Sequence, residues 1–231
     1  MNPYSKLEKT IGVKFKDVAL LRNVFVHRSY LNENVGFELD SNERLEFLGD
    51  AVLELVVTEH LYNNYPNPEG ELTNWRAALV RGQMLAKIAK EIKLGDYLML
   101  SRGEEKAGGK TRELILANTF EALIGAIYLE KELEASRKFI TKFIISRLAE
   151  VLEKKLYIDA KSNLQELAQG KLGQTPRYEV ISEFGPDHAK SFTIGVYISE
   201  KLAGEGSGSS KQLAQQAAAA DALENWSEFS V

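Results

Sequence analysis

Along roughly the first 150 residues, apolar positions recur every three or four places, the spacing of helices that bury one face. Val18 to Val26 is one such run, and the polar stretch His27-Arg28-Ser29-Tyr30 follows it. A longer helix is predicted to start at Ser41 or Asn42, either of which can cap it, and to run to about Tyr65, where Pro66 stops it. Asn67-Pro68-Glu69-Gly70 reads as a turn. Helical spacing resumes over Leu72–Val80 and Gln83–Ile92, with Gly82 between them. Ser101 to Gly109, rich in glycine and charge, is predicted to be a loop. Two more helices are predicted, Glu113–Glu130 and a long amphipathic one from Leu133 to about Leu156.

The pattern changes near Tyr157-Ile158-Asp159-Ala160. A helix over Ser162–Gln169 is predicted, then strands over Arg177–Phe184, Ser191–Ser199 and Lys201–Gly206, then a helix over Ser210–Asn225. Alternation is clearest in Tyr178 to Ser182 and in Phe192 to Ile198. The last helix is rich in alanine, so another surface can approach it closely. The expected fold class is an all-α domain over residues 1–156, a linker at 157–161 and a small α+β domain of order α-β-β-β-α over 162–231.

Composition narrows the class without naming it. The chain has 231 residues, no cysteine and a net charge of −4. The absence of cysteine excludes disulfides, thiolate zinc sites and cysteine nucleophiles, and it suits a reducing cytoplasm, the expected location. No run of about eighteen apolar residues exists, and the first residues lack a charged stretch leading into an apolar one. Neither a membrane partner nor a signal peptide is therefore expected. The net charge is no hint of nucleic-acid binding, so any such reading must rest on local features.

The strongest local feature is Asn42-Glu43-Arg44-Leu45-Glu46-Phe47-Leu48-Gly49-Asp50. Spacings of three and four put Glu43, Glu46 and Asp50 on one helical stripe among large apolar residues. Like charges at those spacings repel, a cost that a cation between them removes. Oxygen donors without cysteine point to a hard ion such as Mg²⁺ or Mn²⁺. A second cluster follows in Leu116 to Ala126, where Asn118 and Glu121 stand three apart within an apolar run. A solvated helix edge is the plain reading of either cluster alone. It suits the first one poorly, because Leu45, Phe47 and Leu48 alternate with the acids.

The segment Asn42–Asp50 resembles the diagnostic stretch of the ribonuclease III family. His27 to Tyr30, Arg76 to Val80, Gly108-Gly109-Lys110 and Thr119 to Leu129 agree with that family in order. The C-terminal part is similar to a double-stranded RNA-binding domain at Leu164 to Leu167, at Gly185-Pro186-Asp187-His188 and at Gly206 to Ala217. The resemblance implies a ribonuclease III endonuclease domain, then the RNA-binding domain. It implies metal-dependent hydrolysis of double-stranded RNA to 5′-phosphate and 3′-hydroxyl ends, in ribosomal and messenger RNA processing. The implied metal ligands are Glu46, Asp50, Asn118 and Glu121, with Asp50 and Glu121 the catalytic pair and Glu43 and Glu69 supporting acids. The implied cofactor is Mg²⁺, with Mn²⁺ a possible substitute and no small organic cofactor. The implied partners are double-stranded RNA and a second copy of the chain, in a homodimer that brings two sites to the two strands. The apolar face around Phe47 and Leu48 is the candidate contact.

Two departures from the family pattern matter. The family's usual residue at position 118 is aspartate. With Asn118 the four ligands carry −3 rather than −4, so the chain is either a variant that binds metal more weakly or one that grips RNA without cutting it. Residues 160–231 hold six basic and nine acidic residues, a net −3, which leaves −1 for residues 1–159. Where the family has consecutive basic residues at the last helix, only Lys211 remains. RNA binding by this domain is therefore expected to be weak and salt-sensitive. The implied RNA contacts are Gln165, Glu166, His188, Ser209, Ser210 and Lys211. His188 reads equally as a loop hydrogen-bonding group. His27 reads as a core or interface residue, His60 as an exposed one, and Trp75 and Trp226 as packing groups.

Overall fold

The computed structural model describes residues 3–155, 157, 159–186 and 190–226. It divides into two compact units, Met1–Tyr157 and Ile158–Val231, each with its own apolar core.

The first unit is helical. It contains α1 (Ser5–Ile11), α2 (Val18–Asn23), α3 (Arg28–Glu33), α4 (Glu43–Asn64), α5 (Glu69–Val80), α6 (Gly82–Glu91), α7 (Arg102–Lys106), α8 (Glu113–Phe143) and α9 (Leu148–Glu153). Local chemistry starts several of them. Asp17 accepts from the backbone N–H groups of Ala19 and Leu20, and Ser101 accepts from that of Glu104. His27 caps α3 through Nδ1, which accepts from the Ser29 N–H. It is half-buried, and burial lowers its pKa.

Several expectations need correcting. Helix α1 was not anticipated, though Leu7 and Ile11 anchor it in the core. Helix α5 begins at Glu69, inside the expected turn, because Pro68 is extended and can precede a first helical turn. Helix α7 stands inside the expected loop. Asn42 does not cap α4. It is buried, its Nδ2 donates to the Val24 carbonyl at 3.0 Å, and its backbone N–H donates to the Val26 carbonyl at 2.8 Å. The helix expected from Leu133 is continuous with α8 through a kink at Glu132, whose φ of 62° is left-handed. That path ends at Phe143. A 3-10 turn, Ile145–Arg147, then redirects the chain so that Ile144, Leu148 and Val151 all reach the core. His60 is half-buried rather than exposed. Trp75, as expected of a packing group, is buried and packs edge-on against Tyr65.

The second unit contains α10 (Ala160–Leu172), β1 (Arg177–Phe184), β2 (Ser191–Ile198), β3 (Lys201–Gly208) and α11 (Lys211–Glu224). The strands form an antiparallel sheet in the order β1-β2-β3. Helix α10 starts two residues earlier than expected. Asp159 accepts from the Ser162 N–H, and Ala160 is already core. Leu164 and Ala168 of α10 and Ala218, Ala219 and Ala222 of α11 pack with Val196 and Ile198 of the sheet. Trp226 packs against this core. Glycine permits the close fit. A Cβ on Gly206 would stand 2.1 Å from the Ala218 nitrogen, and one on Gly204 would stand 2.5 Å from the Ala222 nitrogen.

Candidate active site and RNA-binding surface

Helices α4 and α8 touch backbone to backbone. A Cβ on Gly49 would lie 1.8 Å from the Glu121 carbonyl oxygen, and one on Gly125 would lie 2.2 Å from the Leu45 carbonyl oxygen. Only glycine permits so close a crossing. Around it Leu45, Val52, Leu53, Phe120, Leu123 and Ile124 are buried and lock the two helices together. The crossing carries Glu46 and Asp50, on either side of Gly49, up to Asn118 and Glu121. Neither glycine was singled out from the sequence. A glycine inside each apolar helix, at a cost of about 1 kcal/mol relative to alanine, was the available signal.

The carboxyls of Glu121 and Glu46 are both shifted by burial and by their neighbours. Burial and the charges of Asp50 and Glu46 raise the Glu121 carboxyl to about 7. Burial and the Glu43 charge also raise Glu46, while a hydrogen bond from Asn118 partly offsets them and Asp50 adds to the rise. Among the described residues, no lysine or arginine forms an ion pair with Glu46, Asp50 or Glu121. Neighbouring acids have arginine partners: Glu43 meets Arg28 at 3.5 Å and Glu54 meets Arg76 at 3.0 Å.

The donor set is three carboxylates and one amide oxygen, the hard-oxygen chemistry that suits Mg²⁺ or Mn²⁺. It is an open set. Among the described residues, no three His, Cys, Asp or Glu side chains already converge closely enough to share one ion.

Of the other predicted acids, Glu43 lies one turn before Glu46 and acts on it through its charge, whereas Glu69 is on another helix. Glu43 is exposed at the start of α4, where it accepts from Ser41 Oγ. Glu69 is exposed in the first turn of α5 and accepts from Thr73 Oγ1 at 3.1 Å. It lines a groove with Tyr62 and Tyr65, about 18 Å along α4 from Asp50 at 1.5 Å per residue.

In the second unit, Gln165 and Glu166 are exposed on α10, and Ser209 is exposed before α11. Ser210 caps α11, accepting from the Leu213 N–H at 3.2 Å. Lys211 is more than half exposed, but it is not free. Its Nζ pairs with Glu183 at 3.1 Å and lies 5.5 Å above the Phe192 ring. Glu183 was not singled out from the sequence. His188 lies outside the described residues.

Comparison with known proteins decides the family. A family model described as Ribonuclease-III-like matches residues 17–148, and one described as a double-stranded RNA binding motif matches residues 160–225. Ribonuclease 3 of Desulforamulus reducens is 46% identical over 96% of this chain and 90% of its own length. Ribonuclease 3 of Enterococcus faecalis is 45% identical over 96% of each. The chain belongs to the ribonuclease III family. It is an endonuclease, a hydrolase, with a double-stranded RNA-binding domain behind the helical nuclease domain. A solved nuclease domain of ribonuclease III from Campylobacter jejuni aligns with a TM-score of 0.57 and 42% identity, covering 62% of this chain and 96% of that one. That work describes flexibility in a region involved in that protein's dimer formation. Among the described residues, no helix is long and apolar enough to cross a membrane.

Proposed function

We propose that the protein is a homodimeric, Mg²⁺-dependent endoribonuclease that cuts double-stranded RNA in the cytoplasm. Mn²⁺ is an acceptable substitute, and precursor ribosomal RNA and structured messenger RNA are its substrates. The observation that carries this reading is the backbone contact at Gly49 and Gly125, which brings the segments of α4 and α8 that bear Glu46, Asp50, Asn118 and Glu121 together, with no lysine or arginine paired to those acids among the described residues. Glu46, Asp50, Asn118 and Glu121 would hold the cation, Asn118 through its side-chain oxygen. When bound, a divalent cation supplies water activation and neutralises charge on the scissile phosphate. Asp50 on α4 and Glu121 on α8 are the catalytic pair. Water adds to phosphorus and the bond to the 3′ oxygen breaks. The 3′ oxygen takes a proton and the phosphate stays on the 5′ end. Glu43 and Glu69 act from outside this group as supporting acids.

The homodimer rests on an exposed apolar stripe along α4. Phe47 is 82% exposed, Leu55 54% and Tyr62 78%, and helical spacing puts them on one face. Sedimentation of Phe47→Asp beside the parent chain tests it. A shift to monomer is expected, and an unchanged dimer would remove this face from the contact.

The nuclease reading is tested on a labelled RNA duplex, with Mg²⁺, Mn²⁺ or a chelator, beside Asp50→Ala. Metal-dependent fragments are expected, with cleavage by the variant lower by about a thousandfold. Binding without cleavage under either metal would overturn the proposal and make Asn118 the position to repair.

A further inference from the structure

Strand β1 carries an extra residue. Its register with β2 runs Tyr178↔Val196 and Val180↔Ile194, then shifts, and continues Ser182↔Thr193 and Glu183↔Phe192. Ile181 is the residue left over, a bulge in the edge strand. In an antiparallel ladder, directly opposed side chains share a face, and one inserted residue exchanges the faces beyond it. Without the bulge, Ser182 would stand opposite Phe192 and Glu183 would turn to the other side. With it, Glu183 lies beside Phe192 on the side that α11 covers, next to the first residue of that helix.

There Glu183 meets both lysines of the region. Its Oε1 is 3.1 Å from Lys211 Nζ and its Oε2 is 3.6 Å from Lys190 Nζ. Each carboxylate oxygen thus faces one ammonium. Lys211 is steered to this place from below by the Phe192 ring at 5.5 Å. The hydrogen bond and charge of Lys211, with those of Lys190, hold the Glu183 carboxyl below its ordinary pKa. Lys211 is the one basic residue left at the head of the last helix, the position from which phosphate would be contacted.

We infer that Glu183 stands in for an RNA phosphate between Lys190 and Lys211, and thereby sets the affinity of this domain for double-stranded RNA. The inference rests on the double-stranded RNA reading above. A phosphate must displace the carboxylate to reach either lysine. Exposed pairs of this kind are weak, so the restraint lowers affinity without abolishing it. The bulge at Ile181 is the backbone device that aims the acid.

The test uses the full chain in a chelator, so that RNA is bound and not cut, with a duplex of about 30 base pairs. Affinity is measured across salt for the parent, Glu183→Gln, Lys211→Ala and Glu179→Gln. Glu179 lies on the same strand opposite Gly195, away from the lysines, and its loss changes the net charge equally. Glu183→Gln is expected to bind about fivefold more tightly, with a log–log salt slope steeper by about one. Lys211→Ala is expected to weaken binding, and Glu179→Gln to leave it close to the parent's. A parent that binds, with Lys211→Ala weakened and Glu183→Gln unchanged, overturns the inference and leaves the RNA reading intact. Equal gains in Glu183→Gln and Glu179→Gln also overturn it, reducing the effect to net charge. No binding by any form overturns the RNA reading and the inference together.

Discussion

The two units treat charge in opposite ways. In the helical unit, Glu46, Asp50 and Glu121 have no lysine or arginine paired to them among the described residues, and burial, then the charges of Asp50 and Glu46, push Glu121 up to about 7. In the second unit, the two lysines near the head of α11 share one carboxylate, Glu183. The first arrangement leaves a charge for an external cation to satisfy. The second satisfies its charge internally and lets a ligand compete. Under the proposed function the first would mark a cation site, and under the inference above the second would adjust affinity for RNA. Both arrangements depend on glycines that bring backbones into contact: Gly49 and Gly125 in one unit, Gly204 and Gly206 in the other.

The largest effect is expected from filling those contacts. Gly49→Ala puts a methyl on the Glu121 carbonyl, so α4 and α8 must separate. A stability loss of about 3 kcal/mol is expected, with cleavage falling further than stability alone explains. Gly206→Ala should cost a similar amount but act in the second unit alone. Denaturant unfolding with a probe in each unit separates the two variants. A single shared transition in both would break the picture of independent cores.

A smaller effect is expected from restoring charge at position 118. Asn118→Asp adds a fourth negative group to the set. It should lower the divalent-ion concentration for half-maximal cleavage by about tenfold. It should also lower the thermal midpoint in chelator, because the added charge repels Glu46, Asp50 and Glu121. A variant with an unchanged metal requirement would remove Asn118 from the ligands.

A pH dependence is also expected. Folding raises the Glu121 carboxyl from its ordinary 4.5 to about 7, so the folded chain binds that proton more tightly than the unfolded one. Its contribution to stability in chelator is complete below about 4.5 and is lost as pH rises through about 7. Glu121→Gln should therefore gain stability relative to the parent above pH 7, and not below pH 4.5. A cation must also expel this proton, so the metal requirement of the parent should fall as pH rises from about 6 to 8. Parallel stability curves for parent and variant across that range would show that neither burial nor the neighbouring carboxylates raise Glu121.

The sequence by itself determined the fold class and the order of the long elements, and it named the candidate site residues. Those depend on spacing along one helix or strand: three and four for Glu43, Glu46 and Asp50, two for Phe192, Ile194 and Val196. Weak or short elements were not legible. Helices α1 and α7 are too short to show a period, and the bend at Glu132 and the turn at Ile145–Arg147 come from core packing rather than local preference. Only the tertiary structure decided that Asn42 anchors the start of α4 to Val24 rather than capping it. It alone set Gly49 against Glu121, left the acids without an internal cation and moved Glu69 to the far end of α4. It alone placed Glu183 between two lysines, through a bulge that no residue type announces. A helix spacing reports which side chains share a face, whereas distances between elements far apart in sequence arise only when their backbones pack.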